Sequence, residues 1–429
     1  MIDAKTLESR WRGLVANRCG GAEFDKPGTG YSFSAVLAEE RRLEEWNVPG
    51  DETSALCKLS VADPTWKMPP EAMQAGMDYY LSSPNATRYT DNNGIPGTHE
   101  GLAEYLNLLY SDSGVKFTPD WVQYSPGAIK RLLAEFVPSV LFSNDTILFF
   151  PDPSYGVIKS AINKRGAKII DVPLVLSGGR WHVDYEKIAS QLEAGKKALV
   201  YMNIPHNPAG ITLSKDEQEY AIAWATKNGI ILVFDEAYTH LRFDESGSVL
   251  HVAGWEQCCI VLQSVSKGWN ATGLRFGWVV AHPTLIKAFR KVMDVKDSGG
   301  FGPSIASALW CLKNPGFASM TRDRYKDLHR GLFQGLQAAG FEASMPEAGL
   351  CQLTKAPRRI EGIGFGNATE CSIWLRNNMR ISTMPVTIGG QAWLRWAVTI
   401  ATVPKCGLND EASVIAEVAH RLKALKLEF

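Results

Sequence analysis

From Trp121 onward seven short apolar runs recur: Val122–Tyr124, Ile147–Phe150, Ile169–Val172, Leu199–Met202, Ile230–Phe234, Ile260–Leu262 and Phe276–Val280. Helical stretches such as Asp216–Lys227 and Thr284–Val295 fall between most of them. Runs this short and this uniformly apolar read as strands covered on both faces. Their alternation with helices predicts an α/β domain around a mainly parallel seven-stranded sheet. In such sheets ligands sit at the carboxyl ends of the strands, so the residues that follow each run are the ones to inspect.

The flanks are read more coarsely. Residues 1–55 form an N-terminal arm, glycine-rich around Gly20-Gly21 and Gly28-Thr29-Gly30, with a charged helical stretch from Ser34 to Trp46. Residues 56–302 are expected to form the large domain, with 56–70 open to assignment to the small one, and residues 303–429 a smaller α+β domain. Helices are expected at Pro70–Ser82, Thr98–Tyr110, Ile305–Leu312, Thr321–Ala339 and Asp410–Leu425. Lysine plus arginine equal aspartate plus glutamate at 45 each, which gives no electrostatic argument for nucleic acid or an anionic membrane and leaves a small molecule as the default partner. No apolar run approaches the roughly 20 residues of a membrane span. Met1–Gly13 carries charges of both signs without an apolar core, so no secretory signal is expected. The eight cysteines show no metal-ligand spacing, no metal site is expected, and reduced thiols in a cytoplasmic protein fit them best. Adjacent Cys258 and Cys259 are expected to point apart in a strand.

Ser264 to Gly277 carries the chemistry. Lys267 lies on the loop after run Ile260–Leu262, where burial would disfavour its charged form. Ser264 and Ser266 offer hydroxyls, Arg275 offers a planar guanidinium for an anion such as a phosphate, and Gly273 and Gly277 allow close backbone approach. A lysine for a Schiff base beside hydroxyls and an arginine for a phosphate is what pyridoxal phosphate requires. A surface lysine in a Gly/Ser loop is the other reading of the same residues.

The remaining parts come from other strand ends. Asp235 leaves run Ile230–Phe234, where a bare carboxylate would be costly; a protonated pyridine nitrogen would supply its cation, and a strand-end cap is the alternative. Tyr238 and Asn207 are placed to reach the cofactor's 3-oxygen, although the turn Asn203–Gly210 needs its prolines and glycine for geometry alone. The amides near Gly127, Ala128 and Ile129 open a helix and form an anion site. Tyr155 follows run Ile147–Phe150 and either stacks on the ring or belongs to the core. Arg395, between Leu394 and Trp396, suits a substrate α-carboxylate or a structural ion pair.

Assembled in this order, Asn207-Pro208-x-Gly210, Asp235-x-x-Tyr238, Ser264-x-Ser266-Lys267 with Arg275, and Arg395 resemble the class I/II aminotransferases of PLP fold type I over about residues 56–400. The resemblance implies that Lys267 carries the cofactor as an imine and that Asp235 meets the pyridine nitrogen. It implies further that Asn207 and Tyr238 hold the 3-oxygen, that Tyr155 stacks, and that Ser264, Ser266, Arg275 and the 127–129 amides hold the phosphate. Lys267, Asp235 and Tyr238 would be catalytic, with Arg395 and Asn207 binding substrate. Tyr89 matches a tyrosine that reaches the phosphate in a neighbouring subunit, which implies a homodimer with shared sites. Asp297–Phe301 resembles the LL-diaminopimelate aminotransferase branch. The chain departs from the family pattern at Ala62 before Asp63-Pro64, at Pro385-Val386, and at Glu347-Ala348-Gly349-Leu350-Cys351, all on substrate-facing loops. The expected activity is transfer of an amino group from an amino acid to a keto acid. Elimination, cyclisation or oxidation on the same fold is the alternative, and the short arm argues against a DNA-binding regulator.

Overall fold

A computed structural model describes residue 5, residues 33–155, residue 159, and residues 166–178 and 180–429. The expectations placed on Cys19, Gly20-Gly21 and Gly28-Thr29-Gly30 lie outside these residues. The chain divides after Trp46 into two compact units. In the first, helix α1 (Phe33–Glu44) falls within the stretch expected to be helical, and Arg42 pairs with Glu39 at 2.6 Å.

The second unit is organised by the expected sheet, whose strands are β1 (Val122–Pro126), β2 (Thr146–Asp152), β3 (Lys168–Pro173), β4 (Lys197–Asn203), β5 (Ile230–Asp235), β6 (Cys259–Ser264) and β7 (Phe276–Val280). Their spatial order is β1-β7-β6-β5-β4-β2-β3, and β7 alone runs antiparallel to its neighbours. Each strand distributes its side chains to two cores. In β4, Val200 and Met202 face one core while Leu199 and Tyr201 face the other; in β5, Leu232 and Phe234 oppose Val233. Burial on both faces is why these runs are apolar throughout instead of alternating. Helices α2 (Pro70–Ser82), α3 (Thr98–Leu109), α4 (Lys215–Asn228) and α5 (Pro283–Lys296) agree with the expected spans to within a residue or two. Ser214 caps α4 through a reciprocal pair with Glu217, and Gly229 closes it in the left-handed conformation.

Helix α6 (Gly302–Lys313) sends Ile305, Ala308, Cys311 and Leu312 into the sheet's core. Through these residues the helix belongs to the core of the seven-stranded sheet. Beyond it, α7 (Gly316–Ala338), α8 (Ala368–Met379) and α9 (Glu411–Lys423) cover a three-stranded antiparallel sheet of β8 (Cys351–Lys355), β9 (Met384–Ile388) and β10 (Gln391–Ala397), with β10 central. Ala55, Cys57 and Leu59 join this second core, and Cys57-Lys58 pairs with Ile381-Ser382, so the segment left open at 56–70 starts in the carboxy-terminal part.

The expectation for Cys258 and Cys259 is corrected: their thiols lie 3.9 Å apart. The strand begins at Cys259, and Cys258 precedes it with ψ of −1°, so pleat alternation does not apply to the pair. Cys57, Cys258, Cys259, Cys311, Cys351, Cys371 and Cys406 are buried free thiols. Among the described residues no helix is long and apolar enough to cross a membrane.

Phe149, fully buried in the middle of β2, tests how far the sheet's core carries the fold. Phe149→Ala should lower the unfolding free energy by about 3–5 kcal/mol, read as a shift of the denaturation midpoint with the native far-ultraviolet spectrum retained.

Candidate functional site

Most of the site's residues follow the strand ends along one edge of the seven-stranded sheet, and Arg395 and residues 60–63 come from outside it. β1 ends before Gly127, β2 before Tyr155, β4 before Asn207, β5 at Asp235 and β6 before Lys267. The reversed β7 starts where the others stop, which brings Arg275, its preceding residue, to the same edge. Gly277 permits this arrangement: a Cβ there would lie 2.9 Å from the Ala128 Cα and 2.9 Å from the Gln263 carbonyl oxygen.

On the anion side the chain leaves β1 through two left-handed residues, Gly127 (φ 90°) and Ala128 (φ 58°), and enters a helix that continues to Leu141. Arg275 is also left-handed, with φ of 53°. It is tied to this turn from both sides: the Gly127 amide donates to the Arg275 carbonyl at 2.8 Å, and the Arg275 Nη2 donates to the Gly127 carbonyl at 2.7 Å. Such backbone strain at non-glycine residues, on the order of 1–3 kcal/mol each, persists only where surrounding contacts fix it. Ser264 and Ser266 are buried beside this loop, and the Ser266 amide donates to the Ser264 Oγ at 3.4 Å. The exposed guanidinium, the two hydroxyls and the helix N-terminus make a donor set for a phosphate.

At the centre lies Asp235, 3% exposed. Burial raises its carboxyl from 3.8 to about 6, against the opposing hydrogen bond from Tyr201. The Tyr201 hydroxyl donates to Oδ2 at 2.6 Å and the Ala237 amide to Oδ1 at 3.2 Å. Two neutral donors leave the carboxylate short of a cation, which is the property expected of a group facing a protonated ring nitrogen. Tyr201 escaped the sequence reading because a tyrosine in a run of apolar residues looks like core; its ring does stack on Phe150 at 4.9 Å. Asn203 escaped too: its Oδ1 accepts from the Asn207 amide at 2.9 Å and its Nδ2 donates to the Asp235 carbonyl at 3.3 Å, so it joins two candidate residues.

Asn207 and Tyr238 meet, with Nδ2 donating to the Tyr238 hydroxyl at 3.4 Å. Burial raises the Tyr238 hydroxyl pKa, so it remains a donor at neutral pH. Lys267 Nζ donates to the Ala62 carbonyl at 2.9 Å, and Asp63 Oδ1 lies at 4.0 Å. Burial lowers the lysine from 10.5 to about 8, more than Asp63 raises it. Arg395 donates from Nη1 to Asn207 Oδ1 at 3.3 Å and from Nη2 to the Ser60 carbonyl at 2.5 Å, while its buried Nε has no hydrogen-bond partner. Among the described residues no carboxylate pairs with it, which disfavours the structural ion pair. The Val61 carbonyl between these two acceptors takes the Thr399 hydroxyl at 2.5 Å. Three consecutive carbonyls, 60 to 62, thus form a ledge under the site.

Tyr155 packs against the core beside β2 with its hydroxyl pKa raised by burial and by the charge of Asp235. Tyr89 stands apart: it is 90% exposed, although its neighbour Thr90 is held by the Gly300 carbonyl and amide, both at 2.7 Å. A cavity of about 550 Å³ between Met73, Met77, Tyr80, Phe301 and Arg275 opens on the anion side, away from Asp235 and Lys267.

Known proteins resemble this chain in sequence and in fold. The family model for aminotransferase class I and II matches residues 55–408. The chain is 28% identical over 429 residues to the LL-diaminopimelate aminotransferase of Methanocaldococcus jannaschii, covering 99% of this chain and 100% of that one. It is 25% identical to the glutamate-pyruvate aminotransferase AlaC of Escherichia coli over 76% of this chain and 78% of the relative. Among solved structures, a double mutant of Thermus thermophilus aspartate aminotransferase superposes with a TM-score of 0.77 at 19% identity, covering 95% and 99% of the two chains.

Asp235 yields a pH test on the protein freed of cofactor. Its folded pKa of about 6 exceeds 3.8, so the native state loses stability as pH rises from the lower value through the higher. That loss reaches about 3 kcal/mol above pH 6. Asp235→Asn should therefore melt above the wild type at pH 8, with the gap closing toward pH 4 in parallel thermal scans.

Proposed function

The chain belongs to the aminotransferase class I and II family, and from that premise we propose that the residues gathered at the sheet edge divide among cofactor, proton and substrate. The protein is a pyridoxal-phosphate-dependent aminotransferase acting on an amino acid and a keto acid. Bound at this edge, pyridoxal phosphate supplies a carbonyl for the amino group and an electron sink that acidifies the α-proton. Arg275, Ser264, Ser266 and the Gly127–Ile129 amides take its phosphate. Asp235, held by Tyr201, would face the ring nitrogen, whose charge would offset the burial that raises the carboxyl pKa. Asn207 and Tyr238 would donate to the 3-oxygen, and Tyr155 would cover one ring face.

Lys267 does the proton work. A folded pKa of about 8 leaves roughly a tenth of it as free amine at pH 7, against well under a hundredth for an ordinary lysine. It would therefore hold the cofactor and, as free amine, would take and return the α-proton near neutral pH. Arg395 takes the α-carboxylate: its free Nε and its planar fork, already oriented by Asn207 and Ser60, are what single it out. The observation that carries this reading is the convergence of a buried acid in need of a cation and a lysine with a lowered pKa on one sheet edge.

The relatives' names make dicarboxylic amino donors and small keto acids the first pair to offer. A second copy of the chain completes the site in this reading. Met73, Met77, Tyr80 and Phe301 form an apolar face 47–65% exposed around the cavity at Arg275, and Tyr89 is 90% exposed. Buried free thiols among the described residues suit a cytoplasmic setting.

Three outcomes are expected. Borohydride should fix a pyridoxyl group on Lys267 of the wild type and none on Lys267→Ala, whose conversion of amino acid should fall about a thousandfold or more; a normally active Lys267→Ala would end this reading. Arg395→Lys should raise KM for an α-amino acid on the order of 10- to 100-fold in steady-state assays. Mixed Lys267→Ala and Tyr89→Ala chains should recover activity absent from either alone, since one site of each hybrid dimer is then intact.

A further inference from the structure

The hairpin of Val175–Ser177 and Arg180–His182 lies outside the sheet, yet its arginine reaches across to the segment that departs from the family pattern. Arg180 Nε donates to Glu347 Oε1 at 2.7 Å and Nη2 to Oε2 at 3.2 Å, the side-on pairing that fixes both planes. The same guanidinium donates to Glu217 Oε1 at 2.5 Å and to the Thr212 carbonyl at 2.6 Å. Glu347 in turn accepts from the Thr212 amide at 2.7 Å and its hydroxyl at 3.0 Å. The loop carrying Asn207 and the segment leading into β8 are thus joined through one arginine and one glutamate.

The join is tight at the backbone. Glu347 and Ala348 amides both donate to the Gly210 carbonyl, at 2.8 and 3.0 Å. Gly210 has φ of +66°, and a Cβ there would lie 2.6 Å from the Pro346 Cβ. Gly210 also closes its own turn by donating to the His206 carbonyl at 2.8 Å, so its position sets that of Asn207. Next to Arg180, Trp181 packs edge-on against Trp393 at 5.3 Å, and Trp393 lies two residues before Arg395 on β10, on the same face.

We propose that Arg180 is a positioning residue: acting through Glu347, it holds the 207–212 loop against the 346–351 segment so that Asn207 stays between Arg395 and Tyr238. Both groups that meet substrate and cofactor oxygen then depend on a charge pair remote from either. The inference rests on the roles proposed above for Arg395, Asn207 and Tyr238.

The test uses holoenzyme and two probes that discharge the cofactor's visible absorption band: aminooxyacetate, which carries a carboxylate for Arg395, and O-methylhydroxylamine, which carries none. In Arg180→Met the ratio of their rate constants should fall about tenfold, with the O-methylhydroxylamine rate within about twofold of wild type. The pH midpoint of the visible band should rise by about half a unit as Asn207 and Tyr238 loosen. Arg180→Lys, which keeps one ion pair, should recover most of both. A wild-type ratio in Arg180→Met, or equal impairment in Arg180→Met and Arg180→Lys, overturns the proposal. If Arg180→Met fails to fold, Glu347→Gln decides: its ratio should fall several-fold, and an unchanged ratio overturns the proposal as well. A wild type that shows no visible band, or no preference for the carboxylate probe, sinks the underlying site reading and this inference with it.

Discussion

A carboxylate taken almost wholly out of water at the end of a central strand is the constraint around which this structure is arranged. Asp235 has lost its hydration and received two neutral donors in exchange, Tyr201 and the Ala237 amide. Neutral donors do not restore the solvation of an ionised acid, and the raised pKa expresses the deficit. The fold tolerates it because the sheet beneath is packed on both faces, with enough buried apolar area to absorb a local cost of a few kcal/mol. A positively charged ring at this position would convert the deficit into affinity.

The surrounding groups follow from one topological choice. A wholly parallel sheet would put the start of β7 at the far edge, and Arg275 with it. Reversing that strand lets a single loop, Ser264 to Arg275, leave the edge and return to it, so the Lys267 amine and the Arg275 guanidinium are set by the same short stretch of chain. The geometry is demanding enough that Ala128, Asn270 and Arg275 accept left-handed backbone. Strain concentrated there is consistent with a rigid anion pocket.

The strands and most helices were legible in the sequence because double-sided burial writes an unbroken apolar run and single-sided burial a helical stripe. The direction of β7 was not: nothing in Phe276–Val280 records which way its neighbours run. The partner of helix α6 was not legible for a similar reason, since an amphipathic pattern shows that a helix is buried without saying against what. The Lys267, Asp235 and Asn207 neighbourhoods could be read because their chemistry is improbable in a core. Tyr201 could not, being one hydroxyl on an otherwise ordinary core ring. Arg180 and Glu347 are 167 residues apart, and no local signal connects two charged residues at that separation. The thiols of Cys258 and Cys259 were misjudged because Cys258, expected within the strand, precedes its first residue.

The carbonyl ledge at 60–62 has a different kind of consequence. Arg395, Thr399 and Lys267 are each seated on main-chain oxygen, which every residue type presents alike. Evolution is then free to exchange the side chains of Ser60, Val61 and Ala62, reshaping the substrate's surroundings, while the seats stay put. What this stretch cannot absorb is a change in length: one residue gained or lost would slide all three seats out of step with the cations and hydroxyl they serve. Specificity and catalysis are in this way written in separate alphabets along the same three residues.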